Sequence, residues 1–190
     1  MTIRMSKQAR REQLLDTALT LVRARGTDGL TLVTLAEAAA VSRPIVYDHF
    51  GTRSGLLLAL YRLLDEQHRT AVEKALGSAA ATSAAVAQVL SEAYFACATD
   101  LPEFGAVAAA LKGDPEADAA QHDLLDEYVE LMFVALTPYS GLPAAALRVR
   151  CVGVLGAADA LAVELNHDRV TAAEAVAALT GLITGDLLRG

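Results

Sequence analysis

Residues 31–57 read TLVTLAEAAAVSRPIVYDHFGTRSGLL, and the fold of the chain turns on this stretch. Thr31 is an N-cap residue type for a short helix that ends near Ala39. Ser42 caps a second helix, with Pro44 in its first turn, where a missing N–H is harmless, and Gly51 ends it. Ala36 is small enough to sit where the two helices touch. Leu35, Val41 and Val46 are the apolar positions that fix the crossing, and Phe50 anchors the far end against a preceding helix. Two short helices joined by a tight turn, with a basic-aromatic cluster at the end, suit a helix laid in the major groove of DNA.

Working outward, Leu14, Leu15, Ala18, Leu19 and Val22 form one apolar stripe at helical spacing, which predicts a helix over about Lys7–Arg25, stopped by Gly26. A long helix over about Arg53–Leu76 carries Leu56, Leu57, Leu60, Leu63 and Leu64. Further helices are predicted at about Ser83–Asp100, Pro102–Lys112, Pro115–Leu136, Pro143–Leu165 and Thr171–Leu188, separated by Gly, Pro, Asp and Asn clusters with turn chemistry. No strand-like alternation and no internal repeat is visible. The expected fold class is all-α: a three-helix head over residues 1–53 on a helical body over residues 54–190.

The chain has 190 residues, 54% hydrophobic and 21% charged, with five Pro and no Trp, enough to bury a substantial core and weighted toward helix. Its net charge of −7 is uneven. Residues 1–70 carry ten cations and seven anions, whereas the remainder carries six cations and sixteen anions. A basic N-terminal part on an acidic body suggests a polyanion at one end only, although ordinary surface scatter gives an excess of this size as well. The basic N-terminus has no apolar segment behind it, and the uncharged stretches are broken by Gly, Pro and Ser, so the expectation is a cytoplasmic chain with no membrane partner. Cys97 and Cys151 sit in apolar helical contexts and read as buried thiols.

Residues of about 10 to 60 resemble the DNA-binding head of the TetR family of bacterial transcriptional regulators. The resemblance is carried by Thr31, Leu32, Leu35, Ala36, Ala39, Val41, Ser42, Val46, Tyr47, His49, Phe50, Arg53 and Leu56. It departs from the family at Ala40, where the turn usually has Gly. That turn wants a positive φ, which costs Ala about 1–2 kcal/mol, so either Ala40 tolerates the strain or the turn is reshaped.

The candidate DNA-binding residues are Thr31, Ser42, Arg43, Pro44, Ile45, Tyr47, His49 and Arg53. Arg43, at the start of the recognition helix, has a guanidinium fork suited to O6 and N7 of guanine, and Pro44 and Ile45 offer contacts to thymine methyls. Thr31 offers a hydroxyl and a helix N-terminus to a phosphate. By resemblance, Tyr47 and His49 fall at phosphate-binding positions. Arg53 adds a charge-assisted phosphate contact. Asp48, a carboxylate near phosphates, either orients Arg43 or accepts from cytosine N4. Arg4, Lys7, Arg10 and Arg11 form either an arm along the DNA or a frayed end.

The resemblance implies a body whose last two long helices pair with a second subunit and whose middle helices enclose a ligand. Gly153, Gly156, Gly181 and Gly185 lie inside predicted helices at a cost of about 1 kcal/mol each, which a close helix approach explains, whether between subunits or within the chain. Tyr94, Phe95, Phe104, Tyr128, Met132 and Phe133 are the candidate ligand-binding residues, with ordinary core as the competing reading of each. Asp123, Glu127 and Glu130 mark a solvated face, or a cation site if they point inward. The four His make no metal-ligand spacing, and no nucleophile motif or Gly-rich phosphate loop appears, so neither metal, cofactor nor enzymatic activity is expected. The expected function is a homodimeric regulator, a repressor by resemblance, that binds a pseudo-palindromic operator and is released by a small-molecule effector. The alternative is a ligand-sensing dimer that acts through protein contacts, its head vestigial.

Overall fold

A computed structural model of the chain describes residues 5–100 and 102–187. Arg4 and the side chain of Cys97 lie outside what is described. The described residues form nine α-helices and no strand: α1 Lys7–Arg25, α2 Leu32–Ala38, α3 Arg43–Phe50, α4 Arg53–Ser78, α5 Ser83–Asp100, α6 Pro102–Ala110, α7 Pro115–Leu136, α8 Ala144–Asn166 and α9 Ala172–Leu182. The all-α expectation holds. No described helix is long and apolar enough to cross a membrane.

Local chemistry sets most of these bounds. The Ser6 hydroxyl accepts from Ala9 N at 3.1 Å and starts α1. Gly26, at φ 68°, stops it by donating to Val22 O at 2.8 Å. Thr31 and Thr34 form a reciprocal capping box at the start of α2, with N–H to hydroxyl distances of 3.0 and 2.9 Å. Ala40 does adopt φ 53°. Val41 N donates to Ala36 O at 3.0 Å and Ala40 N to Glu37 O at 3.2 Å, the paired bonds of a Schellman ending with Ala in the position that Gly usually takes. At the far end of the chain the predicted helix to Leu188 changes character. Residues Ile183–Leu187 are wound as a wider π turn, with the Thr184 hydroxyl donating to Thr180 O at 2.9 Å.

The chain divides into two compact units. The first comprises residues 1–66 and 102–120. Leu14, Ala18, Leu35, Ala36, Val46, Phe50, Leu56, Leu57 and Leu60 are buried there. The segment 102–120 joins this unit through Val107, Leu111, Ala117 and Ala120, all buried. Glu103, a buried carboxylate, receives Arg23 Nε at 2.7 Å and Nη2 at 2.6 Å, and the rings of Tyr61 and Phe104 lie 4.7 Å apart. The second unit comprises residues 67–101 and 121–190, with a core of Leu90, Phe95, Met132, Leu136, Leu147, Cys151, Leu155, Leu179 and Ile183 among others. Burial pushes the Cys151 thiol up to about 11, which keeps it protonated and inert at neutral pH.

Two small residues in the first unit have opposite demands. Ala40 carries a Cβ into a left-handed conformation. Gly55 has no room for one, since a Cβ there would lie 2.3 Å from the backbone oxygen of Phe50. Ala40→Gly is expected to raise stability by about 1 kcal/mol, a shift of a few degrees in thermal unfolding. Gly55→Ala is expected to lower the melting temperature, because the α3–α4 corner must open to admit the methyl group.

Candidate nucleic-acid interface

α3 has two faces. Val46 and Phe50, four residues apart, are buried, whereas Arg43, Pro44, Ile45, Tyr47 and Asp48 are exposed and His49 is half-buried. Tyr47 is 48% exposed and Ile45 38%, so neither is a core side chain. Ser42 occupies the N-cap position but makes no side-chain cap bond, which leaves the first-turn N–H groups of α3 without a side-chain acceptor. A helix start of this kind favours an anion.

The far end of α3 is held by α1. Arg11 donates from Nη1 to His49 O at 2.8 Å, and its guanidinium lies 4.9 Å from the centre of the Phe50 ring. It thereby satisfies an orphan carbonyl at a helix C-terminus and adds a cation–π contact. Nothing in the local pattern marks Arg11 for this role. Its partners lie 38 residues away.

The charges on this surface are cross-linked in pairs. Lys7 reaches Asp48 at 3.3 Å and Arg43 reaches Glu37 of α2 at 3.6 Å, all four side chains being well exposed. Asp48 therefore faces Lys7, and Arg43 takes its carboxylate from Glu37. Exposed pairs of this kind contribute little to stability, so both cations are available to a polyanion. His49 titrates below the ordinary histidine value, chiefly because burial disfavours the charged ring, next because of Lys7, with Arg11 and Arg10 adding to this and Asp48 opposing it. The imidazole is neutral at pH 7.

Two of the sequence-derived site residues are already engaged. Arg53 donates from Nε to Leu30 O at 3.0 Å and from Nη2 to Thr27 O at 2.7 Å. It ties the segment before α2 to the start of α4. The Thr31 hydroxyl accepts from Thr34 N. The geometry brings Ser42, Arg43, Pro44, Ile45, Tyr47 and His49 onto or beside one helix, with Thr31 and Arg53 in supporting positions.

In the second unit a cavity of about 10 Å³ is lined by Leu90, Tyr94, Tyr128, Met132, Val154, Leu155, Ala158, Leu179 and Ile183. It has room for no more than a single water. Of the six ligand candidates, Tyr94, Tyr128 and Met132 line it. Phe95 is core, Phe133 lies under the Arg148 guanidinium at 4.0 Å, and Phe104 belongs to the first unit, where it stacks on Tyr61. Tyr94 donates to Asp159 at 2.5 Å. An open groove of about 650 Å³ is lined by Arg69, Glu73, Leu76, Glu127, Glu130, Leu131, Val134 and Ala135. Glu130 pairs with Arg148, and Glu73 with Arg69 at 3.3 Å.

Residues 14–60 match the family model for bacterial regulatory proteins of the tetR family. This stretch is a TetR-family head, and α2, α3 and their turn are its DNA-binding helix-turn-helix. The fold extends over the whole chain. The fatty acid degradation regulator FadR from Bacillus halodurans aligns with a TM-score of 0.68 at 17% identity, covering 97% of each chain. FadR from Bacillus subtilis, solved in complex with stearoyl-CoA, aligns at 0.65 and 17%, covering 92% of this chain and 98% of its own. The TetR family regulator PfmR from Thermus thermophilus aligns at 0.58 and 22%, covering 93% and 97%. Among curated proteins, no sequence matches.

Arg53→Ala removes two side-chain to backbone hydrogen bonds and is expected to destabilise the TetR-family head by about 1–3 kcal/mol. Chemical denaturation measures this without DNA present. An unchanged midpoint would return Arg53 to the role of a pure phosphate contact.

Proposed function

We propose that this chain is a ligand-responsive repressor that binds a pseudo-palindromic operator as a homodimer. The observation that carries the reading is the two-sidedness of α3. Its inner face is locked by Val46 and Phe50, and its outer face offers Arg43, Pro44, Ile45 and Tyr47 from an uncapped helix start. In this reading Arg43 reads guanine, Pro44 and Ile45 meet thymine methyls, and Ser42, Tyr47 and His49 hold phosphates. Thr31 and Arg53 add the N-terminus of α2 and a nearby positive charge. A head kept intact to this degree argues against a vestigial one.

The dimer reading rests on the outer surface of α8 and α9. Ala145, Val149, Val152, Gly156, Ala160 and Val163 recur at three- and four-residue spacing along α8 and all are exposed, Val149 at 72% and Val152 at 57%. Ala177, Gly181 and Leu182 continue the exposed apolar surface on α9. A Cβ added at Gly153, Gly156, Gly181 or Gly185 would meet no neighbour within 4 Å in the chain itself. Packing within the chain therefore gives no reason for glycine at these sites, and close approach by a second copy does.

The effector reading rests on the aromatic cavity of the second unit. At about 10 Å³ it is closed, so a ligand that enters between Tyr94, Tyr128 and Met132 must hold the helices apart. The B. subtilis FadR complex with stearoyl-CoA supports a largely apolar effector. Such a ligand favours the open body, and operator affinity falls by the difference, typically about 1–3 kcal/mol.

Fluorescence anisotropy with the DNA upstream of the chain's own gene tests the operator reading. Specific binding that weakens steeply with salt is expected, and Arg43→Ala should relax preference at one base pair per half-site. Equal affinity for all sequences would sink the specific-regulator reading. Gly156→Ala is expected to leave a folded chain, because its methyl group has open space within the protomer, while weakening self-association. Sedimentation measures the latter.

A further inference from the structure

His49 stands at the junction of α1 and α3, where Arg11 of α1 donates to its backbone oxygen at 2.8 Å. Lys7, Arg10 and Arg11 of α1 all act on its imidazole, against the single carboxylate of Asp48 on its own helix. All three cations are fixed by contacts. Arg11 is held on His49 O and over the Phe50 ring, Arg10 donates to Gln13 at 2.6 Å, and Lys7 reaches Asp48 at 3.3 Å. These cations occupy the first two turns of α1, the end at which the helix dipole disfavours positive charge. The sequence suggested an arm or a frayed end for this run. The structure builds Lys7, Arg10 and Arg11 into a helix beside the last turn of α3.

We propose that Lys7, Arg10, Arg11 and His49 form one anion site spanning α1 and α3, and that binding of a DNA phosphate there is coupled to protonation of His49 from solvent. The inference rests on the DNA-binding reading and deepens it. A half-buried imidazole with these cations beside its helix is disfavoured from protonation while the site is empty, first by burial and then by their charge. A phosphate oxygen reverses this, because it screens the three cations and accepts a hydrogen bond from the charged ring. The Asp48–Lys7 pair, exposed on both sides, yields to the phosphate. The proton comes from solvent, no covalent bond forms or breaks in the protein beyond N–H, and DNA binding is thereby linked to pH. Since the histidine is more readily protonated in the complex than in the free head, affinity rises as pH falls through the histidine range. The effect is independent of base sequence, since phosphates carry none.

Isothermal titration of the full chain with a short duplex of arbitrary sequence, at low salt and between about pH 5.5 and 8, tests the site. Repeating it in buffers of different ionisation enthalpy counts the protons taken up. Net uptake is expected, with affinity falling by up to about tenfold per pH unit for each head over part of this range. His49 is the one histidine in residues 1–66 and 102–120, so the change is assignable. His49→Gln keeps a hydrogen-bond donor but cannot titrate, and it is expected to bind the duplex with no proton uptake and a flattened pH profile. Binding without proton uptake by the parent chain, or an unchanged profile in His49→Gln, overturns the coupling and leaves the DNA reading standing. Failure to bind any duplex across this range overturns both.

Discussion

Burial of Val46 and Phe50 on one side of an eight-residue helix is the constraint on which the rest of the head depends. Four residues apart, they fix the rotation of α3 about its own axis. Once that rotation is fixed, Arg43 and Tyr47 lie on the exposed side of the helix. A helix this short has little stability of its own, and its tertiary contacts supply what propensity does not. Arg11 clamps its C-terminal carbonyl and the Phe50 ring. Gly55 lets α4 start within van der Waals reach of the Phe50 backbone. The outer face of α3 is therefore held in orientation by the packing of its reverse side.

The polar groups on that surface are restrained by weak, exposed ion pairs, Lys7 with Asp48 and Arg43 with Glu37. Such pairs hold long cationic side chains at small energetic depth. Another pairing in the same unit has one buried partner, Glu103. Glu103, almost inaccessible, is satisfied by Arg23, and its loss would leave an uncompensated charge in the interior.

Much of the head was legible in the sequence because its signals are local. The cap at Thr31, the stops at Gly26 and Gly51, and the positive φ at residue 40 involve groups within a few residues of one another, whereas Ser42 takes the N-cap position of α3 without making the expected side-chain cap bond. The outer face of α3 follows from the 3.6-residue repeat once Val46 and Phe50 are known to be apolar. The body was less legible. An Ala-rich sequence gives aromatic residues at helical spacing no indication of which neighbours they meet. Tyr94, Tyr128 and Met132 share a cavity, Phe95 is core, and Phe133 lies under a guanidinium. Nor could spacing show that residues 102–120 belong with the head and carry Phe104 away from the other candidates.

By itself the sequence determined the helices, the ends of the first three, the helix-turn-helix and the residues on its outward face, because backbone hydrogen bonds and capping act between near neighbours along the chain. Tertiary structure decided what the cations do. Arg53, marked by its position just past the recognition helix, donates to Leu30 and Thr27, and Arg11, marked as part of a basic run, becomes the clamp on α3. It also decided that glycines in α8 and α9 have empty space around them within the protomer. Long flexible side chains choose among partners tens of residues distant, and the choice depends on which helices come within reach. No local pattern encodes it.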